Sequence, residues 1–267
     1  MSQSRLRRVW PIAITATMLA VLSVSLLVVA TTRSSEDIQS CDPITGTFSH
    51  RDRESIFHIY SCGVDAARPV GVLVHLHGDG AGEFVGPEDP EGTLNSLARV
   101  ARDRNMLLVA PQTPDQGNGW TWWRNLGENV AWLSAFMQDD VLSRRNVDAE
   151  NVWWSGYAGG ADMLSRGVLT HLSPLVTSGA VMMAGGAAPV TLEAPRHPYP
   201  RDKSDTLPLS WVVGAHDDNV ADAREGSQWY QDRGFGNVSL AVSEDTAQAN
   251  LPQADVLESA LDAAREG

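Results

Sequence analysis

Short apolar runs alternate with stretches of helical periodicity from about residue 55 onward. The apolar runs are rich in Val and Leu and predict buried strands at Ile56–Ser61, Gly71–His77, Met106–Pro111, Asn151–Ser155, Gly179–Ala184, Leu209–Gly214 and Asn237–Val242. Apolar residues recur at helical spacing over Leu94–Arg104, Glu128–Arg144, Ala161–His171, Ala221–Arg233 and Gln253–Glu266. Strands that are apolar on both faces and alternate with helices are typical of a mainly parallel sheet covered by helices. The pattern therefore predicts the α/β class.

The first part of the chain has a different pattern. A basic segment, residues 5–8, precedes an uncharged stretch from Trp10 to Thr32 that is rich in Leu, Val, Ala and Ile. A helix of about 20 apolar residues spans a bilayer, and a basic flank favours the cytoplasmic side. The sequence thus predicts a membrane anchor that leaves the following domain extracytoplasmic. A signal peptide cleaved after a small residue such as Ala30 is the alternative, and it leaves the domain secreted.

These patterns predict three parts. Residues 1–33 form a signal or transmembrane segment, residues 34–55 a linker and N-terminal hairpin region, and residues 56–267 the α/β domain. Within that domain, the Pro- and charge-rich stretch Ala194–Pro208 predicts a long loop over the site side of the sheet. The absence of an internal repeat favours one domain.

Charge and cysteine content narrow the classes of partner. The chain has 33 acidic and 20 basic residues, a formal net charge of −13. Such a surface repels nucleic acid, so no nucleic-acid partner is expected. Its two cysteines, Cys41 and Cys62, both fall on the exported side of the predicted anchor, where thiols usually pair. They predict a disulfide, and no residue spacing suggests a metal site.

The segment Gly156–Gly160, here called the elbow, carries the most informative motif. Its sequence Gly-Tyr-Ala-Gly-Gly lies between a predicted strand and a predicted helix. That is the G-x-S-x-G nucleophile motif of hydrolases in its required strand–turn–helix context, with Ala158 where serine is expected. Glycines are needed because the turn is sharp, and the start of the helix adds backbone N–H groups and a positive dipole end.

Two further loops complete the predicted site. The segment His77–Gly82, here called the HG loop, follows a predicted strand. In hydrolases with this motif such a loop supplies one oxyanion-hole N–H, here assigned to Asp79, and the residue after the nucleophile, Gly159, supplies the other. A later strand ends in acidic residues, where the third member of a Ser-Asp-His triad belongs. We assign that acid to Asp217, with Asp218 as the alternative.

With these motifs, residues 42–265 resemble the α/β-hydrolase esterases that include polyhydroxybutyrate depolymerases, feruloyl esterases and acetyl xylan esterases. The resemblance implies a cofactor-free ester hydrolase whose general-base histidine follows the last strand. The matching position is Ala249, and no histidine follows His216. Without a serine hydroxyl and an imidazole, no acyl-enzyme forms and no water is activated. The sequence therefore predicts either an inactivated esterase or a natural pseudoenzyme.

The residues predicted to bind substrate are aromatic. Trp120 and Trp122 follow the strand Met106–Pro111 on the side of the sheet where the site must lie, and Tyr157 belongs to the elbow. We predict that these three contact an acyl ester, either a small molecule or an acylated glycan or lipid. Packing that anchors a long loop is the alternative role for the tryptophans. In a pseudoenzyme, the cleft would hold a ligand or a membrane-protein partner without turnover.

Overall fold

The computed structural model describes residues 41–189, 199–244 and 251–266. Its central feature is a sheet of eight strands in the order β1-β2-β4-β3-β5-β6-β7-β8. The strands are β1 (Ile44–His50), β2 (Arg53–Tyr60), β3 (Val70–Leu76), β4 (Met106–Pro111), β5 (Val147–Tyr157), β6 (Gly179–Met183), β7 (Leu209–Gly214) and β8 (Val238–Ser243). Strands β3 to β8 pair in parallel, and β1 and β2 add an antiparallel hairpin at one edge.

This arrangement confirms the predicted α/β class with a mainly parallel sheet. Strands β4 and β7 begin and end where the apolar runs predict. The hairpin predicted near residues 34–55 is β1 and β2, and it pairs with β4 through Phe57 to Tyr60. The sheet of the α/β domain therefore begins at Ile44.

Helices flank the sheet on both sides. They are α1 (Thr93–Arg102), α2 (Leu126–Ala135), α3 (Gly159–Met163), α4 (Leu169–His171), α5 (Arg201–Thr206), α6 (Val220–Gln231) and α7 (Gln253–Glu266). Wider π-helical turns, Phe136–Val141 and Leu164–Val168, continue α2 and join α3 to α4. The long loop predicted over Ala194–Pro208 is interrupted by α5, and residues 190–198 lie outside the described part of the chain.

Side chains alternate between the two faces of the sheet along each strand, and each face packs into its own hydrophobic core. In β3, Val72 and Val74 point to a core with large aromatic rings, including Trp132 and Trp211, whereas Leu73 points to the opposite core beneath α1 and α7. All seven residues of β3 are buried. Side chains at successive strand positions face opposite sides of a sheet, so a central strand covered on both sides has no polar face. Full burial of a Val or Leu side chain contributes about 1.5–3 kcal/mol.

The predicted disulfide is confirmed: Cys41 is bonded to Cys62, which ties the start of the described chain to the end of β2. The predicted anchor, Trp10 to Thr32, lies outside the described residues. Within the described ranges, no helix is both long and apolar enough to cross a bilayer.

The topology brings the motifs of the sequence to one edge of the sheet. The HG loop follows β3, the elbow follows β5, and Asp217 follows β7. Because these strands are parallel, their carboxyl ends share an edge, and ligands of open α/β sheets bind outside that edge. Any site that uses these three segments therefore lies there.

Candidate active site

The elbow holds its central residue in a strained backbone conformation. Strand β5 ends at Tyr157, helix α3 begins at Gly159, and Ala158 between them has φ 47° and ψ −114°. Few residues with a side chain adopt a positive φ, and such a conformation costs about 1–3 kcal/mol. It is fixed by hydrogen bonds: the Ala158 N–H donates to the carbonyl of Met183 at 2.8 Å, and its carbonyl accepts from the N–H of Asp162 at 3.1 Å.

Close backbone packing explains the elbow glycines. A Cβ on Gly160 would lie 2.1 Å from the carbonyl oxygen of Leu76, the last residue of β3. A Cβ on Gly156 would lie 2.6 Å from the backbone of Gly160. No side chain fits at either position, so the start of α3 packs directly on the end of β3. This packing depends on the glycines and not on the side chain at position 158.

The HG loop is braced by its own histidine. The Thr113 N–H donates to Nε2 of His77 at 3.0 Å, so Nδ1 carries the proton and donates to the Gly78 carbonyl at 2.6 Å. Burial lowers the pKa of His77 to about 4. Both ring nitrogens are therefore occupied in a neutral imidazole. His77 supports the loop and is unable to act as a general base.

His75 is a second buried histidine of β3. Its Nδ1 lies 3.0 Å from the hydroxyl oxygen of Ser155, its neighbour across the sheet on β5. Burial lowers the pKa of His75 to about 3, with a smaller contribution from His77. The ring is neutral at physiological pH and packs between two strands below the site.

The amides predicted to form an oxyanion hole are open. In the HG loop, Gly80 donates to the carbonyl of Gly119 and Ala81 to that of Gly78, both at 3.1 Å. The N–H groups of Asp79 and Gly159 have no acceptor among the described residues. For Gly159 this follows from its position, because the first amides of a helix have no intrahelical partner. Both donors stay predictions, since no ligand is present to accept from them.

Glu83 is a functional neighbour that sequence reasoning missed. Its carboxylate accepts the Gly78 N–H, with distances of 3.0 and 3.2 Å to the two oxygens. Gln253 at the start of α7 lies 3.5 Å from the same carboxylate. Burial raises the pKa of Glu83, and the charge of Asp79 adds to this. From the sequence alone, an acidic residue after a Gly-rich turn is expected to be exposed to solvent. The fold of the loop instead directs Glu83 into the protein.

The side chain of Asp79 lies over the elbow. The indole N–H of Trp123 points to both of its carboxylate oxygens, at 3.2 and 3.1 Å. A Cβ built on Gly159 would be 2.1 Å from Oδ1 of Asp79. The carboxylate thus occupies the space that a side chain at Gly159 would need. The sequence assigns only the backbone of Asp79 to the site, whereas the structure places its charged group there as well.

Asp217 lies in the segment Ala215–Asn219 after β7, here called the acid loop. It is 4% exposed, and its Oδ1 accepts the Asn219 N–H at 2.8 Å. Its Oδ2 is buried without a hydrogen-bond partner in the described chain. Burial raises the pKa of Asp217, and the nearby charge of Asp218 adds to this. Because Asp218 is exposed, burial favours Asp217 over its neighbour as the acid of the site.

The aromatic prediction needs correction. Trp122 is fully buried and packs against the ring of His77, with 5.3 Å between ring centroids. It therefore belongs to the core and has no surface for a ligand. Trp120 is half-buried against the core beneath α1. Among the described lining residues the tryptophan is Trp123, and Tyr157 lines the cleft too; its contact with an ester stays a prediction. The prediction required Trp120 and Trp122 to face the same side of an extended loop. Trp120 has a positive φ of 56°, so the loop is not extended there.

These parts surround one cleft of about 560 Å³. That volume is within the range of small-molecule sites, about 300–1,000 Å³. Its described lining includes Asp79 of the HG loop, Tyr157 and Ala158 of the elbow, Asn219 of the acid loop and Gln253 of α7, together with Glu83, Trp123 and Asp162. No cluster of three or more potential metal ligands occurs in the described ranges. Position Ala249, where the resemblance expects histidine, lies outside them.

Solved structures with the same topology support the assignment of the fold. A thermostable esterase superimposes with a TM-score of 0.62 at 14% identity; the match covers 86% of this chain and 64% of that one. The chain therefore spans less than two thirds of that esterase. A serine hydrolase without a lid from Xanthomonas campestris matches with a TM-score of 0.54 at 15% identity, covering 84% and 94%. The chain has the α/β-hydrolase fold.

A third similar structure is that of a serine-to-alanine mutant. It is the feruloyl esterase module from Clostridium thermocellum, complexed with sinapinate, with a TM-score of 0.54 at 13% identity, covering 82% and 88%. No family model and no curated protein sequence matches this chain. At these identities the likeness shows the fold alone and leaves substrate and activity to the site.

Proposed function

We propose that the chain is the scaffold of a membrane-anchored, extracytoplasmic carboxylic-ester hydrolase, present in a catalytically inactive form. The observation that carries this proposal is the backbone of Ala158, with φ 47° and ψ −114° between β5 and α3. In hydrolases of this fold, a strained strand-to-helix turn presents a serine hydroxyl. The elbow has that geometry with a methyl group in place of the nucleophile.

Two missing groups account for the proposed inactivity. A methyl group at Ala158 forms no acyl-enzyme, and Ala249 supplies no imidazole to accept a proton. In a serine hydrolase, loss of the nucleophile or the base alone costs about a millionfold in turnover. The remaining parts favour an esterase: two open amides, at Asp79 and Gly159, and the buried carboxylate of Asp217, whose Oδ2 is available to orient an imidazole.

The proposed location and substrate follow from the N-terminal pattern. The basic segment at residues 5–8 and the apolar stretch from Trp10 to Thr32 favour a single-pass anchor with the domain outside. An outward-facing esterase at the membrane meets acylated glycans and lipids of the cell envelope. We therefore propose an acyl ester of that kind as the substrate, with deacetylation as one form of the reaction.

A natural pseudoenzyme is the second candidate. In this form the cleft binds an ester, a glycan or a membrane-protein partner without turnover. The open cleft of about 560 Å³ favours it, since Trp123 stands at its wall and no described side chain of the elbow fills it. Both candidates share the fold and the cleft and differ only in whether the scaffold supports catalysis.

Hydrolysis of p-nitrophenyl acetate by the full chain separates the two candidates. The substitutions Ala158→Ser and Ala249→His together give what we call the restored chain. We expect the restored chain to turn over about 10³-fold or more above the unmodified chain, because both members of the triad are then present. Either substitution alone should stay near background, since the triad acts as a unit. A folded restored chain that stays silent with every short acyl ester contradicts the esterase proposal and favours the binding protein.

A further inference from the structure

Asp79 brings a negative charge to the corner of the cleft where ester hydrolysis generates another. Its Oδ1 lies against Gly159, within 2.1 Å of an ideal Cβ position, and Trp123 holds the carboxylate there through its indole N–H. The same two residues, Asp79 and Gly159, carry the open amides predicted to bind an oxyanion. An oxyanion hole works because donors and dipoles face the developing negative charge. A carboxylate beside it acts against that effect.

No cationic side chain among the described lining residues of the cleft compensates this charge, and the nearby guanidinium of Arg124 lies outside the lining, 5.3 Å from the centroid of the Trp123 ring. The described residues that line the cleft include the carboxylates of Asp79, Glu83 and Asp162 and no Lys, Arg or His. Asp162 is engaged by the N–H groups of Gly186 and Ala187, both at 2.9 Å, and Glu83 by that of Gly78. Asp79 differs from them because its described hydrogen-bond partner is the neutral indole of Trp123, so its charge faces the cleft.

We propose that Asp79 determines which ligand charges the cleft accepts. Its carboxylate disfavours anionic groups above the elbow and favours neutral or cationic acyl ligands there. The inference also has a catalytic consequence, which rests on the proposed function: Asp79 slows hydrolysis even when serine and histidine are supplied. Asp79 acts here as a specificity-determining residue, and Trp123 positions it. Solvent exposure of Asp79 screens the effect, so it is worth about tenfold rather than thousandfold.

Ligand binding to the full chain tests the inference without any catalysis. The probes are isovalerate, an anion, and isovaleramide, its neutral isostere, titrated while NMR follows the indole N–H of Trp123. We expect Asp79→Asn to tighten isovalerate binding about tenfold and to leave isovaleramide unchanged. Asparagine keeps an oxygen that accepts from the Trp123 indole, so the variant changes charge with little change in shape.

Asp148→Asn is the matched control, because it also removes one negative charge but lies near the start of β5, eight residues before the elbow. It should alter neither affinity. If Asp79→Asn changes both probes equally, or leaves both unchanged, Asp79 does not set the charge preference. Tightening of isovalerate by Asp148→Asn as well would attribute the effect to net charge and would equally overturn the inference.

The restored chain gives the catalytic test. Adding Asp79→Asn to it should raise kcat/KM for p-nitrophenyl acetate about tenfold, chiefly through kcat, because the oxyanion exists only in the transition state. A restored chain that is already active and gains nothing overturns the inference while the proposed function stands. Silence with and without Asp79→Asn, together with the expected binding result, contradicts the proposed function and leaves the charge preference intact.

Discussion

The elbow and the acid loop end two strands of one sheet at the same edge, yet they supply different parts of the proposed hydrolase site. In the elbow the backbone has the nucleophile conformation, and the side chain of Ala158 is a methyl group. In the acid loop the catalytic-type side chain is present: Asp217 is 4% exposed, with one carboxylate oxygen lacking a partner in the described chain.

The two regions are stabilised by different interactions, so they support different conclusions about the site. Packing of Gly160 against the end of β3, together with the backbone hydrogen bonds of Ala158, holds the elbow whatever side chain stands at position 158. The glycines account for the close packing of α3, whereas the strained φ and ψ of Ala158 are what the proposed nucleophile position rests on. A buried carboxylate oxygen without a partner costs about 1–3 kcal/mol, because its desolvation is not repaid. Asp217 therefore supports the proposed role of orienting an imidazole independently of the elbow.

The largest expected effect is on catalysis through Asp217. In the restored chain, Asp217→Asn should lower kcat for p-nitrophenyl acetate about 10⁴-fold, as loss of the triad carboxylate does in other serine hydrolases. Asparagine is unable to stabilise the imidazolium or hold its tautomer. The exposed neighbour gives the control, since Asp218→Asn should leave kcat within about twofold. If the two variants behave alike, the acid loop has no catalytic part.

In the unmodified chain the same substitution should stabilise the protein. Burial raises the pKa of Asp217 above its ordinary value of 3.8. A carboxyl with a raised folded pKa binds its proton more tightly in the folded state, so stability falls as pH rises through that pKa. Asp217→Asn should therefore add about 1 kcal/mol to the unfolding free energy at pH 7, and the gain should shrink as the pH approaches 3.8. Urea unfolding at several pH values measures this, and Asp218→Asn should change little.

Substitution of Gly160 tests how much its packing stabilises the elbow. Gly160→Ala places a methyl group 2.1 Å from the Leu76 carbonyl oxygen, so α3 has to move away from β3. Overpacking of this kind should cost about 3 kcal/mol in unfolding free energy. Gly127→Ala is the control, because a Cβ there meets nothing within 4 Å and alanine favours the helix by about 0.5–1 kcal/mol. Equal losses in both variants would contradict the packing explanation.

Much of the fold could be predicted because its signals are local. Strands β4 and β7 begin and end where the apolar runs predict, and α7 matches its predicted range, since period and composition decide such elements. The predicted helix Glu128–Arg144 differs, because its second half widens into a π turn at Phe136–Val141. Helical periodicity does not distinguish the two geometries.

The site could be predicted only where a motif fixes the backbone. Ala158, Gly159 and Asp217 follow from strand–loop order. The side-chain positions of Asp79, Glu83 and Trp123 could not be predicted, because they depend on how two loops fold against each other across the sheet edge. The tryptophan prediction failed for the same reason: which of three neighbouring indoles meets the cleft is decided by a positive φ at Trp120.

The smallest expected effect measures how much strain the elbow stores. Ala158→Gly keeps the packing of α3 on β3 and relieves a backbone that is unfavourable for alanine, with φ 47°. Relief is offset by the greater freedom of glycine in the unfolded chain, so the net gain should be about 0.5–1 kcal/mol. Ala263→Gly, at an exposed position of α7, should instead lose about 1 kcal/mol. A gain in unfolding free energy for Ala158→Gly with a loss for Ala263→Gly, both measured by urea unfolding, would show that the elbow stores strain. A loss for both variants would show that the elbow is relaxed, and its conformation would then not support a nucleophile position.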